Sequence, residues 1–532
     1  MKTLPLYLAA TLGIVSASPL LSVPASHVDG ADDHRADGAR GIYAALQVSA
    51  RDESAAAGEV SVGRIPLQER RLGEVDFPNS GAPEAQGAFI QGVLLLHSFE
   101  FEDAATQFRR AQEMDPAFAL AYWGEAMTYN HPLWRQQDRE AALGVLARYA
   151  PTARERQARA PTPREAAYLA TLDVLYGEGS KSERDGAYME AMRRLSEAYP
   201  EDLEARAFYA LSILGSTDGE RDFPTYMRAA AVAQTVFDAN PRHPGAVHYI
   251  IHAFDDPIHA PLGLEAARAY SGIAPDAGHA QHMTSHIFVA MGMWDDVVAA
   301  NIRARDVQNR RLAELGRKPN VCGHYTSWLH YGWLQQGDLK NAEAGMQACL
   351  ERVRQGATPG EQGYFVNMRA RQMLDTRDWD AADRFSAQVS ASPRIQARYA
   401  FVDGYAAVMR GDGAGAQAAL RRMEELRPAS PEKSPRDWIA REEIRTLLAL
   451  DAGDTAGALK ILVKAAEVEE GLPFEFGPPA SLKPPHELLG EILLKTGAAT
   501  GAARAFRRAL EMTPGRTLAK EGLEEASKAG GR

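Results

Sequence analysis

His248-Tyr-Ile-Ile-His252 and His282-Met-Thr-Ser-His286 write the same H-x-x-x-H spacing twice, and the two copies stand 34 residues apart. Residues four apart share a helix face, so each pair stacks one imidazole above the other. A period of 34 residues is that of a repeated helix-turn-helix unit, which cannot bury its apolar face alone and must stack on its neighbours. A chain bearing this spacing is restricted to an array in which successive units lay their histidine pairs side by side.

The 532 residues are 45% apolar and 24% charged, enough for several domains or one long array. Net charge is −11 and no dense Lys/Arg run occurs, which argues against a nucleic-acid or anionic-membrane partner. The N-terminus has Lys2, an apolar stretch from Leu4 to Val15 and small residues up to Ala25, the pattern of a secretory signal peptide over 1–25. At about 12 residues that stretch falls short of the ~20 needed to span a bilayer. The expected location is therefore periplasmic or secreted, with no stable membrane insertion once the signal is cleaved.

Residues 26–83 are mostly Ala, Gly, Asp, Arg and Ser, and read as a flexible polar linker. Helical periodicity begins at Glu84. Ala150 to Arg164 and Leu472 to Pro485 read as long loops, the second stiffened by its prolines. Cys322 and Cys349 are the only cysteines; placed early and late in one helical hairpin they can form a bridge, and otherwise they are an exposed thiol and a small buried residue.

Gly92, Ala104, Phe108, Ala111 and Pro116 fall at the spacing of the tetratricopeptide signature, and Leu489-Gly490, Ala502, Phe506, Ala509 and Pro514 do so again. The chain resembles tetratricopeptide repeat (TPR) proteins at both ends. Between them a Gly followed five residues later by Ala or Val recurs at Gly292, Gly337, Gly411, Gly453 and Gly497, with a degenerate unit expected near Trp379 to Phe385. The expected fold is all-α: a right-handed α-solenoid of about eight TPR-like hairpins. Its parts are repeats over 84–240, histidine-bearing repeats over 241–310, further repeats over 311–470, and a Pro-rich loop with a C-terminal repeat over 471–532.

In that family the slots held by the paired histidines face the concave groove. The resemblance thus implies that His248, His252, His282 and His286 look into it. The block from His248 to Asn301 also resembles segments of exported bacterial TPR proteins with H-Y-x-x-H and H-M-x-S-H-I-F. Seven of the 14 histidines lie between His243 and His286, too dense for chance scatter. Imidazole suits Zn, Cu and Fe, so these four are the candidate metal ligands. Asp255, Asp256, His279, His324 and Glu487 are candidate additional ligands or supports. Histidines such as His97, His131, His330 and His486 read as structural.

Three functions fit this pattern. One is a scaffold whose histidine-lined groove binds a protein or peptide partner or a transition metal. The second is a metal-dependent hydrolytic or oxidative enzyme using the same cluster. The third is a docking array in a cell-envelope complex with Tyr122, Trp123, Trp134, Trp328 and Trp333 as anchors. No H-E-x-x-H, G-x-S-x-G or phosphate-cradling glycine motif occurs, so no catalytic residue is assigned.

Overall fold

The computed structural model describes residues 70–217 and 221–531. The expected signal peptide and the linker as far as residue 69 lie outside them. Paired helices follow one another along the chain. They run α1 (Gln86–His97) with α2 (Phe101–Met114), and α3 (Ala119–Met127) with α4 (Arg139–Tyr149). After the short α5 (Ala153–Arg159) come α6 (Pro163–Leu175) with α7 (Lys181–Ala198), and α8 (Leu203–Gly215) with α9 (Phe223–Ala239). The middle of the array is α10 (Pro244–Phe254) with α11 (Ala260–Ile273), α12 (Gly278–Ala290) with α13 (Trp294–Glu314), and α14 (His324–Gln336) with α15 (Leu339–Arg354). Then come α16 (Pro359–Thr376) with the single-turn α17 (Ala381–Arg384), and α18 (Pro393–Met409) with α19 (Gly413–Leu426). Last are α20 (Pro435–Asp451) with α21 (Thr455–Glu470), α22 (Pro485–Lys495) with α23 (Ala499–Met512), and the closing α24 (Thr517–Gly530). The one described ladder is two residues long, β1 (Asn130–His131) antiparallel to β2 (Gln136–Gln137).

The fold is thus an all-α array of TPR-like hairpins, with more pairs than the eight or so expected. The signature glycines show why the spacing works. A Cβ on Gly92 or Gly124 would stand 2.8 or 2.3 Å from the Phe108 ring, which fills the gap between α1 and α3. Gly490 and Gly522 bracket Phe506 in the same way between α22 and α24. The degenerate unit near Trp379 is the single turn of α17.

Two expectations need correction. Residues 70–82 are not a free linker: Leu72 and Phe77 are buried, and Phe77 packs its ring against Phe89, Trp123 and Tyr168. Arg70 pairs with Asp103, and its guanidinium also donates to the Asp276 carbonyl. Within 150–164, α5 forms because Thr152 and Glu155 make a reciprocal capping box. Beyond the stacking of neighbouring hairpins, the array makes a contact between segments far apart in sequence. The turn before α24 docks on the middle of the chain, where Trp294 Nε1–H donates to the Gly515 carbonyl at 2.9 Å and Thr517 Oγ to that of Gln335 at 2.6 Å.

Leu472 to Pro484 is irregular, as its prolines require. Cys322 and Cys349 are bonded, with Cα atoms 4.6 Å apart, and tie the start of α14 to α15. Among the described residues no helix is long and apolar enough to cross a membrane. Trp123 is fully buried, Tyr122 and Trp328 nearly so, which makes them core residues rather than exposed anchors.

Candidate metal centre

The histidines come from the first helices of three consecutive pairs. His248 and His252 stand on α10, His279, His282 and His286 on one face of α12, and His324 at the start of α14. Helices α10 and α12 are buried on nearly every side, polar residues included, so their rings point at one another rather than at solvent. This corrects the implied groove-facing position: His248, His252, His282 and His286 are all buried. Phe99, in the α1–α2 turn, packs its ring 4.3 Å from that of His248 and 5.9 Å from that of His252. Trp328 and Phe476 cover the His286 ring at 4.5 and 5.5 Å. Phe476 belongs to the proline loop, which Gly477 presses onto Trp328 in a left-handed conformation (φ 94°).

The rings form two groups of three. In one, the Nε2 atoms of His282 and His286 are 3.1 Å apart and that of His324 is 2.8 Å from His282. In the other, the Nε2 atoms of His248 and His252 are 3.1 Å apart and His279 completes the set. Within each group the ligand atoms lie within 4.8 Å of one another.

Hydrogen bonds at the far side of each ring assign the tautomers. Asn301 donates its Nδ2–H to the Val297 carbonyl, which turns its Oδ1 to His282 Nδ1 at 2.8 Å. His282 must therefore carry its proton on Nδ1. His286 Nδ1 faces Asp255 Oδ2 at 2.6 Å and donates to it. The facing Nε2 atoms of His282 and His286 thus both carry bare lone pairs at 3.1 Å, an arrangement that calls for a cation between them. An ion held about 2.0–2.1 Å from each nitrogen separates neighbouring ligands by roughly 3 Å, as here. His248 Nδ1 donates in the same way to the His97 carbonyl at 2.6 Å, leaving its Nε2 bare.

Burial favours the neutral form of five of these rings. Burial pushes His248 down to about 3 against the opposing hydrogen bond to His97, and burial with His286 nearby brings His324 to about 3. Burial first, and neighbouring imidazoles second, hold His252, His279 and His282 well below the usual range. A neutral imidazole is the form that binds metal.

Of the two candidate carboxylates on the α10–α11 turn, only Asp255 meets the cluster. Asp256 is turned away: it accepts from the backbone of Ile258 and His259, pairs with Arg221 at 3.1 Å and faces His259 Nδ1. Glu487 is committed elsewhere, to Arg516 at 2.6 Å and Lys483 at 2.8 Å, with Asp375 sharing Arg516. Its carboxyl is held low, since the two cations outweigh the burial that would raise it.

A third group went unrecognised in the sequence: His97, Glu204 and His243. Glu204 joins His97 Nε2 at 2.7 Å and His243 Nε2 at 3.0 Å, His97 Nδ1 meets Tyr249 Oη at 2.8 Å, and His243 Nδ1 accepts from the Ala246 amide as the N-cap of α10. Burial alone would raise the Glu204 carboxyl, but the two imidazoles prevail and hold it at about 2. Every ring nitrogen has a partner, so this group is a closed network that fixes α10 and, through the His97 carbonyl, the His248 ring. His330 Nε2–H donates to Gln372 Oε1 at 2.9 Å and stands apart from the cluster.

No family model matches this chain, and no curated protein does. Among solved structures it is similar to the Cut9–Hcn1 hetero-tetramer of APC/C (12% identity, TM-score 0.29, covering 85% of this chain and 78% of that one). It is also similar to yeast Tom70 (10%, 0.32, 84% and 96%) and to the TPR domain of P58(IPK) (13%, 0.22, 84% and 98%). At these scores none of the three bears on what this chain binds or does.

Proposed function

We propose that this chain is an exported helical-hairpin scaffold that holds a transition-metal ion, zinc, copper or iron, on the Nε2 atoms of His282, His286 and His324. The observation that carries the reading is the pair of bare lone pairs on His282 and His286, each fixed by a donor bond on the opposite side of its ring. Asp255 and Asn301 act as supports that orient the ligands and set their tautomers, as outer partners do at metal sites. Three imidazoles leave a fourth position for water or another ligand, the arrangement of catalytic rather than structural zinc sites. The enzyme alternative therefore belongs to the same site, with the reaction undefined.

Export rests on residues 1–25 and agrees with the Cys322–Cys349 bond, which suits an oxidising compartment. The test is elemental analysis of the mature protein purified without a histidine tag, beside a His282→Ala/His324→Ala variant of equal helicity. Bound metal in the first and its loss in the second support the reading. Absence of metal from both, after reconstitution with zinc, copper and iron salts, overturns it.

A further inference from the structure

We infer that the centre is dinuclear: His248, His252 and His279 hold a second ion, and an exogenous oxygen ligand bridges it to the first. The inference rests on the metal reading of His282, His286 and His324 but is carried by separate observations.

The second group is built as a site in its own right. His279 Nε2 is buried and finds no hydrogen-bond partner among the described residues, and a ring nitrogen of His279 lies within 4.8 Å of those of His248 and His252. An unpartnered buried nitrogen costs about 1–3 kcal/mol unless something binds it. His248 Nε2 is bare because its other nitrogen serves the His97 carbonyl. That carbonyl is itself held by the closed His97–Glu204–His243 network, which gives the network a purpose. Phe99 reaches the rings of His248, His252 and His279 from a backbone with φ 55°, rare for a residue with a side chain. Strain of this kind, on the order of 1–3 kcal/mol, persists where the surroundings over-determine it, as at binding sites.

Both groups draw on α12. His279 and His282 are three residues apart on one helix face, with ring centroids 6.3 Å apart, and His252 approaches His286 at 6.1 Å. Ring separations of this size are compatible with two ions close enough for one oxygen atom to reach both, as in two-metal sites with ions ≈ 3.5–4 Å apart. Both groups consist of histidines alone, and the two carboxylates that touch them are engaged behind the ligands, Asp255 with Nδ1 of His286 and Glu100 with the backbone N–H of His279 at 3.1 Å. The bridge is therefore supplied from outside as hydroxide or another small oxygen donor. Six neutral ligands on two cations leave a strongly positive centre, which favours such an anion.

The full mature chain, stripped and then loaded with copper(II) ions, tests this. The wild type should hold two ions, and His279→Ala and His324→Ala one each. The wild type's electron paramagnetic resonance should fall well below that of two isolated ions, because a bridge couples them, and each single variant should regain the signal of one. If His279→Ala fails to fold, His252→Ala takes its place. One ion in the wild type, lost with His324→Ala and retained with His279→Ala, overturns the second site while leaving the first. Two ions at full signal overturn the bridge, and no ion at all overturns both proposals.

Discussion

Asp255 Oδ2 accepts a hydrogen bond from His286 Nδ1 at 2.6 Å, joining the end of α10 to the middle of α12. The carboxylate fixes the ring's tautomer and makes its Nε2 a better donor. Asp255→Asn keeps the size of the side chain but presents a neutral amide. Metal affinity should fall about 10–100-fold, read by titration against a chromogenic chelator, with helicity unchanged. Unaltered affinity would remove Asp255 from the account.

Glu487 serves the fold: among the described residues it alone holds both Arg516 and Lys483 at hydrogen-bond distance. Removing it takes one partner from each of two buried cations, leaving Arg516 to Asp375 and Lys483 to Glu491, and breaking buried pairs costs about 3–5 kcal/mol. Glu487→Ala should therefore lower the midpoint of urea unfolding while the folded fraction keeps its full metal content. Loss of metal without loss of stability would make Glu487 part of the site.

Gly477 holds the proline loop against Trp328, and a Cβ there would stand 2.4 Å from the indole. Its φ of 94° is strained for any other residue. Gly477→Ala should release the loop at a cost of roughly 1–3 kcal/mol. Faster proteolysis between Leu472 and Pro485 and a shift in tryptophan fluorescence would report it; an unchanged digestion rate would speak against the contact.

Burial raises the Glu469 carboxyl to about 7 against the hydrogen bond from Ser481 and the charge of Arg436, with Glu470 and Glu487 adding to the rise. A carboxyl with a raised folded value binds its proton more tightly when folded. Its stabilising contribution is whole below the unfolded value near 4.5 and is lost as pH climbs through 7. Between pH 4.5 and 7 the wild type should lose on the order of 1–3 kcal/mol that Glu469→Gln does not lose. Parallel pH profiles in denaturant would contradict this.

The array was legible because its signals are local. The glycine and phenylalanine at fixed spacing have to meet, and the 34-residue offset of the histidine pairs sets them on successive first helices. Even α5 left its mark, since Thr152 and Glu155 spell a capping box that the loop reading passed over. Leu72 and Phe77 carried no such mark: single apolar residues in an extended segment make no period, and only tertiary contact shows that they are core.

The site was legible in its members and not in its grouping. His279 and His324 were already candidates from their slots, but the division into two groups depends on how α14 and α10 lie against α12. Burial in place of an open groove follows from Phe99 and from the proline loop, which reach the rings from segments far apart in sequence. His97, Glu204 and His243 come from three helices with no shared spacing, and His243 alone stood within the dense histidine segment.

The most direct measurement is an anomalous-scattering map from crystals of the mature protein reconstituted with zinc. The account predicts a peak about 2.0–2.1 Å from Nε2 of His282, His286 and His324, with Asp255 and Asn301 still bonded to the Nδ1 atoms behind two of them. A map with no peak among these rings, or with zinc bound only at the protein surface, would contradict it.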